Sequence, residues 1–204
     1  MTNIALVRHG ESVWHAENRY AGLSDIDLTP RGYDQAEQLA SWAGRAGLSA
    51  VWASTLSRAR LTAAASAKAA GVELRVDQRL RELDFGQGDG LTAAEMRELF
   101  PEARAAFEAN PAASPLPGGE DPKLAADRFT ECLRDIAAAH PDGRVMVVAH
   151  TTVIRIALCR LMGVPLGEYR RLFPRLDNCA ITEIRPRDGQ VAILRYNSPI
   201  GALR

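Results

Sequence analysis

No apolar run in these 204 residues approaches the length of a membrane-spanning helix; the apolar segments present are strand-sized. The first strand pattern begins within three residues of Met1, leaving no room for a basic region and an apolar signal core. A soluble, cytoplasmic protein is therefore expected. An excess of one charge is lacking too. Lysine plus arginine and aspartate plus glutamate each number 25, so no overall field draws the chain to nucleic acid or an anionic membrane, and neither is expected as a partner. Any anion site must be local. Cysteine is scarce and odd in number, at Cys132, Cys159 and Cys179, without the CxxC or Cys/His spacing of a zinc site. Small buried thiols are the expected state. Histidine is scarce as well, four in all, and the positions of those four carry most of the functional signal.

What is present is enough apolar residue, 47% of the chain, to bury a sizeable core. With no internal repeat and no linker, residues 1–204 read as a single domain. Ile4, Ala5, Leu6 and Val7 read as a buried strand that ends abruptly at Arg8, His9 and Gly10. A polar and aromatic loop is expected over 13–28. Thr29 and Pro30 then suit the N-cap and first position of a helix with the stripe Ala36, Leu39, Ala40 and Ala43. Residues 48–54 read as a strand, 57–70 as an alanine-rich helix and 73–76 as a short strand. That alternation predicts parallel strands with right-handed crossovers. Between 80 and 119 regularity weakens to one short helix over 92–99 and a proline and glycine loop from 110, and 84–120 is expected to act as a lid that sets specificity. Residues 121–140 form an amphipathic pattern. The 145–149 run is apolar on both faces and so belongs at the centre of a sheet. A helix from Thr151 to Leu161 follows, then strands over 180–184 and 191–196 joined by a hairpin turn at Arg187-Asp188-Gly189.

His9 and His150 each follow a buried strand directly, and in open α/β sheets ligands are held outside the carboxyl ends of strands. Neighbouring residues of a regular strand point to opposite faces, so Arg8 and His9 share a site only if the chain turns at His9. Gly10 is read as the residue that permits the turn. His140, before Pro141 at a helix end, has an ordinary explanation as a polar side chain near free carbonyls. Arg58 falls in the first turn of its helix, where a cation opposes the helix dipole, so an anion is expected beside it. A guanidinium fork and a helix amino end together match a phosphate. Arg60 reads as solvated. Glu82, flanked by Leu80 and Leu83, is a candidate desolvated acid; Asp84 competes on spacing, and either acid could instead pair with Arg79 or Arg81.

Taken in order, Arg8-His9-Gly10-Glu11-Ser12, the run from Ser54 to Arg58, Glu82 and Val148-Ala149-His150 resemble the signature of the histidine phosphatase superfamily, also called phosphoglycerate mutase-like. The resemblance implies an α/β fold, a three-layer α/β/α sandwich with a mostly parallel central sheet, and two-step transfer through a phosphohistidine without metal or other cofactor. It makes His9 the nucleophile, Arg8, Arg58 and His150 the phosphate pocket, Glu82 the proton donor, and His15, Gly22 and Thr151 further phosphate-binding positions. Two departures stand out. His15 occupies the place where many members carry asparagine, and Thr151 the place where glycine often follows the second histidine.

A nucleophilic imidazole should be oriented by a backbone carbonyl. Arg8, Arg58 and a protonated His150 should then neutralise the equatorial oxygens. Hydrolysis of a small phosphate ester is favoured over mutase transfer, because the stretch from Asp84 to Ala149 is compact and its basic residues are few, mainly Arg97, Arg104, Lys123 and Arg128. A non-catalytic phospho-ligand binder would be expected to have lost one of the matched groups. Phe85, Leu91, Phe100, Phe107 and Leu116 suit the small core of a lid better than a contact to an apolar leaving group. Monomer and dimer both fit the sequence.

Overall fold

Strand alternation sorts the apolar residues onto two faces, and the computed structural model, which describes residues 1–187 and 190–202, shows both faces covered. The six strands are β1 (Asn3–Arg8), β2 (Ala50–Ser54), β3 (Leu74–Asp77), β4 (Arg144–Ala149), β5 (Ile181–Arg187) and β6 (Gln190–Ser198), in the sheet order β3-β2-β4-β1-β5-β6. The helices are α1 (Val13–Ala16), α2 (Pro30–Ala43), α3 (Ser57–Ala70), α4 (Ala93–Leu99), α5 (Pro101–Ala109), α6 (Pro122–Ala139), α7 (Thr151–Met162) and α8 (Tyr169–Leu172). On one face Ile4, Leu6, Val145 and Val147 pack against α6 and α7. On the other, Ala5, Val7, Met146 and Val148 pack against α2 and α3. The fold is thus a three-layer α/β/α sandwich.

The first four strands in sheet order are parallel. β5 runs antiparallel to β1, and β6 antiparallel to β5. Strand β4 lies between β2 and β1, with Val145 to Val148 fully buried, as a strand apolar on both faces requires. One consequence positions the site. The two strands that end in histidine are direct neighbours in parallel register, with Arg8 opposite Ala149, and the His9 amide donates to the Ala149 carbonyl at 3.0 Å. His9 and His150 therefore leave the sheet side by side.

Three helices lie outside the sequence expectation. Helix α1 occupies the expected loop, α5 follows α4 directly, and α8 precedes the last two strands. Helix α4 opens on a capping box between Thr92 and Glu95 and stops before Pro101, which then serves as the first residue of α5. The hairpin turn expected at Arg187-Asp188-Gly189 includes Asp188 and Gly189, which lie outside the described residues. Cys132, Cys159 and Cys179 are free and buried. Among the described residues no helix is long and apolar enough to cross a membrane.

Candidate active site

The chain turns after β1 because two backbones meet there. A Cβ on Gly10 would lie 2.5 Å from the Gly32 carbonyl oxygen, and one on Gly32 would lie 2.1 Å from the Glu11 carbonyl oxygen. Gly10 does not adopt positive φ. Its glycine is needed for this close approach to the first turn of α2, which corrects the expectation that conformational freedom was the reason. The turn leaves His9 Nδ1 2.6 Å from the Gly10 carbonyl oxygen. Nδ1 therefore carries the proton as donor, and the lone pair sits on Nε2, which has no protein partner. Two residues without a sequence signal hold this turn. The Gly10 amide donates to Thr62 Oγ1 at 2.9 Å, and Thr62 donates in turn to the Arg58 carbonyl at 2.7 Å. Asn178 Nδ2 donates to the His9 carbonyl at 2.8 Å.

Arg58 is fully buried. Its Nη1 donates to the Ser24 carbonyl at 2.8 Å, and its Nη2 to the carbonyls of Gly22 and Ala21 at 2.7 and 3.2 Å. These bonds fix the fork, and Nε is left without a protein partner. Asp89 holds the accepting loop by taking bonds from the Gly22 amide at 2.7 Å and from Ser24. Gly22 was expected to bind phosphate. Its amide is committed to Asp89 and its carbonyl to Arg58, so it orients the arginine instead. Arg8 anchors Nη1 on the Leu176 carbonyl at 2.8 Å and leaves Nε unpartnered. Both ring nitrogens of His150 and the Thr151 hydroxyl are likewise buried without protein partners.

Glu82 is buried against the start of α7. Its Oε2 accepts from the Thr152 amide at 2.9 Å, and its Oε1 from the amides of Val153 and Leu83 at 2.9 and 2.8 Å. Burial pushes its pKa up, and the three amides oppose that shift. Arg128 secures the approach by donating to the carbonyls of Arg79, Arg81 and Glu82 while pairing with Glu120. Among the described residues neither Glu82 nor Asp84 pairs with Arg79 or Arg81: Asp84 accepts from the Gly86 amide at 2.8 Å, Arg79 pairs with Asp77 and Asp135, and Arg81 donates to the Gln78 carbonyl.

These groups converge on a cavity of about 530 Å³ whose lining includes Arg8, His15, Glu82, Thr151, Arg155 and Tyr169. His9, Arg58 and His150 are all buried, and His9 adjoins the lining through the His15 ring. The His9 ring is flanked by those of His15 and His150, each with its centroid 5.1 Å away. Burial, then the neighbouring imidazoles and Arg58 and Arg8, hold His9 neutral, with its pKa well below the usual histidine range. His150 is depressed in the same way by burial and Arg58. Without an anion in the pocket, the protein groups alone therefore keep His150 neutral. His15 sits 2.6 Å from Ser12 Oγ through Nδ1, and burial together with Arg8 and Arg58 lowers its pKa to about 3. The positive charge next to the His9 ring comes from Arg8 and Arg58.

The family model for the histidine phosphatase superfamily (branch 1) matches residues 4–199. Phosphoserine phosphatase 1 of Hydrogenobacter thermophilus is 33% identical over 197 residues, which is 97% of this chain and 92% of that protein. A protein of Salmonella paratyphi B named probable phosphoglycerate mutase GpmB is 34% identical over 93% of this chain and 87% of its own length. A solved mycobacterial glucosyl-3-phosphoglycerate phosphatase, complexed with VO3, superposes with a TM-score of 0.87 at 27% identity, over 97% of this chain and 99% of that one.

Proposed function

The chain belongs to the histidine phosphatase superfamily, and from that footing we propose that it hydrolyses small phosphomonoesters through a phosphohistidine on His9. One observation carries the reading. A single buried imidazole has Nδ1 tied to a carbonyl and Nε2 free, with Arg8 Nε, Arg58 Nε, both nitrogens of His150 and the Thr151 hydroxyl around it lacking any protein acceptor. Buried donors left in this state are costly unless an anion satisfies them. A phosphoryl group supplies several acceptor oxygens at once.

In the first step Nε2 attacks phosphorus in line, the bond to the ester oxygen breaks, and Glu82 gives its proton to the departing alkoxide. In the second, the Glu82 carboxylate takes a proton from water as that water attacks phosphorus, the P–N bond breaks, and His9 is restored with release of phosphate. Arg8 and Arg58 hold the equatorial oxygens throughout. Arg97, Arg104, Lys123 and Arg128 do not line the cavity, and Arg97, Arg104 and Arg128 pair with Glu108 or Glu120. These four residues therefore offer no cavity site for a second phosphorylated alcohol. The relatives whose names declare phosphatases point the same way. Residues 84–120 are assigned as the lid of this one domain. Phe85 faces the cavity, while Phe85, Phe107 and Leu116 are buried in the core and Leu91 and Phe100 pack against it.

Hydrolysis of p-nitrophenyl phosphate in excess chelator tests this. Turnover should persist with chelator present, acid-labile phosphate should be trapped on the protein, and His9→Ala should lose at least about a thousand-fold. A strict metal requirement, or activity retained by His9→Ala, would sink the proposal. Transfer on 3-phosphoglycerate that outpaces hydrolysis would replace it with the mutase reading.

A further inference from the structure

Two guanidinium groups enter the cavity without counter-ions. Arg155 and Arg170 line the same space as Arg8 and Glu82, and among the described residues neither pairs with a carboxylate. Arg155 reaches only the Tyr169 carbonyl, at 3.4 Å, and its Nε is buried with no partner. Arg170 Nε donates to the neutral Tyr169 hydroxyl at 3.1 Å. By contrast Arg19, which also borders the cavity, is neutralised by Glu17 and Glu95. The one acid in the lining is Glu82, already bound by three amides.

The two guanidiniums are also held in place. Their central carbons lie 4.8 and 5.5 Å from the centroid of the Tyr169 ring, and Arg170 sits 4.8 Å from that of Phe107. Stacking of this kind fixes the guanidinium plane while leaving its N–H edge free. Arg155 follows Thr151 by four residues on α7, so it lies on the same face of the helix, one turn further from the phosphate pocket. Placing two like charges in one cavity costs free energy unless an anion bridges them.

Building on the phosphatase reading, we propose that Arg155 and Arg170 form a second anion site, and that the ester hydrolysed here carries a second anionic group, a carboxylate or a further phosphate, on its alcohol portion. With the phosphoryl group at His9, that portion extends along α7 toward α8.

The test compares three esters: phosphoglycolate, 1,3-propanediol bisphosphate and propyl phosphate, which has no second anion. The parent should favour one of the first two over propyl phosphate by about 10- to 100-fold in kcat/KM, the range expected of charged hydrogen bonds. Which of the two leads identifies carboxylate or phosphate as the second group. In Arg155→Met and in Arg170→Met that ratio should collapse toward one, and Arg155→Lys should recover part of it. Thermal melts confirm that the variants are folded. Equal use of all three esters by the parent, or a proportional loss on all three in the variants, overturns the second site and leaves the phosphatase reading intact. Should no ester turn over, the phosphatase reading fails and calorimetric binding decides the site. Tighter binding of phosphoglycolate or the bisphosphate than of propyl phosphate, lost in Arg155→Met, upholds it, and no such preference overturns it.

Discussion

Protonation at His150 should couple anion binding in the proposed phosphate pocket to pH. Buried beside Arg58, this imidazole is kept neutral by the protein alone, because desolvation and a neighbouring cation both disfavour the charged form. An oxyanion placed against it reverses the second of these influences. Anion binding should therefore draw a proton from solvent and tighten as pH falls through the neutral range. Sulfate, which does not titrate there, isolates the protein's share: calorimetry in two buffers of different ionisation enthalpy should show net proton uptake between about pH 6 and 8, reduced in His150→Gln. Zero uptake in the parent would refute the coupling. The neutral state itself was not legible in sequence, since it depends on burial and on Arg58 arriving from another strand end. His9 and Arg58 were legible because each breaks a local rule: a histidine abruptly ending an apolar strand, and a cation at the wrong end of a helix dipole. Thr62 and Asn178 break none. A buried threonine on a helix and an asparagine in a loop gain their meaning only when folding carries Gly10 and the His9 carbonyl to them.

Elements hold Glu82 through a pair of interlocked turns. The Gln87 amide donates to the Pro117 carbonyl at 2.9 Å and the Glu120 amide to the Asp84 carbonyl at 3.0 Å, binding the two ends of the 84–120 segment together. Gly86 stands at their contact with φ +53°, where a Cβ would lie 2.3 Å from the Pro117 carbonyl oxygen and 2.4 Å from the Gly119 nitrogen. Gly118 has φ +73° but open space around it. Alanine at 118 should therefore cost only the left-handed backbone penalty, about 1–2 kcal/mol. At 86 it should cost that plus overpacking, roughly 2–5 kcal/mol in all, and lower kcat by disturbing the turn that follows Glu82. Urea unfolding of the two variants checks the order, and equal losses would show that the turns are not locked together. The strands were legible as apolar runs bounded by glycine and polar residues, and the centrality of β4 followed from its two apolar faces. The antiparallel attachment of β5 to β1 was not, because periodicity reports which face is buried and not which strand is the neighbour. Helix α5 was hidden by Pro101, a residue that ends one helix and begins the next.

For the molecule as a whole, the site is a source of acid sensitivity. His9, His15 and His150 are kept neutral in the folded state with pKa values below that of a free imidazole, about 3 for His15. The unfolded chain takes up these protons near pH 6.5 and the folded chain does not, so the stabilisation is complete above about pH 6.5 and is lost as pH falls below it. Each imidazole contributes a slope of up to about 1.4 kcal/mol per pH unit, against a total stability on the order of 5–15 kcal/mol. Lysine plus arginine balances aspartate plus glutamate at 25 each, so general charge repulsion adds little in this range. The urea midpoint should therefore drop between about pH 6.5 and 5, before the carboxylates titrate. Replacing His15 with asparagine removes one of the three groups and should flatten the fall by about 1–2 kcal/mol at pH ~5, while the parent and the variant converge in their pH dependence above neutrality. A parent whose stability is level from about pH 7 to 5 would mean that these imidazoles are hydrated and charged, and the neutral nucleophile on which phosphohistidine chemistry depends would lose its physical basis.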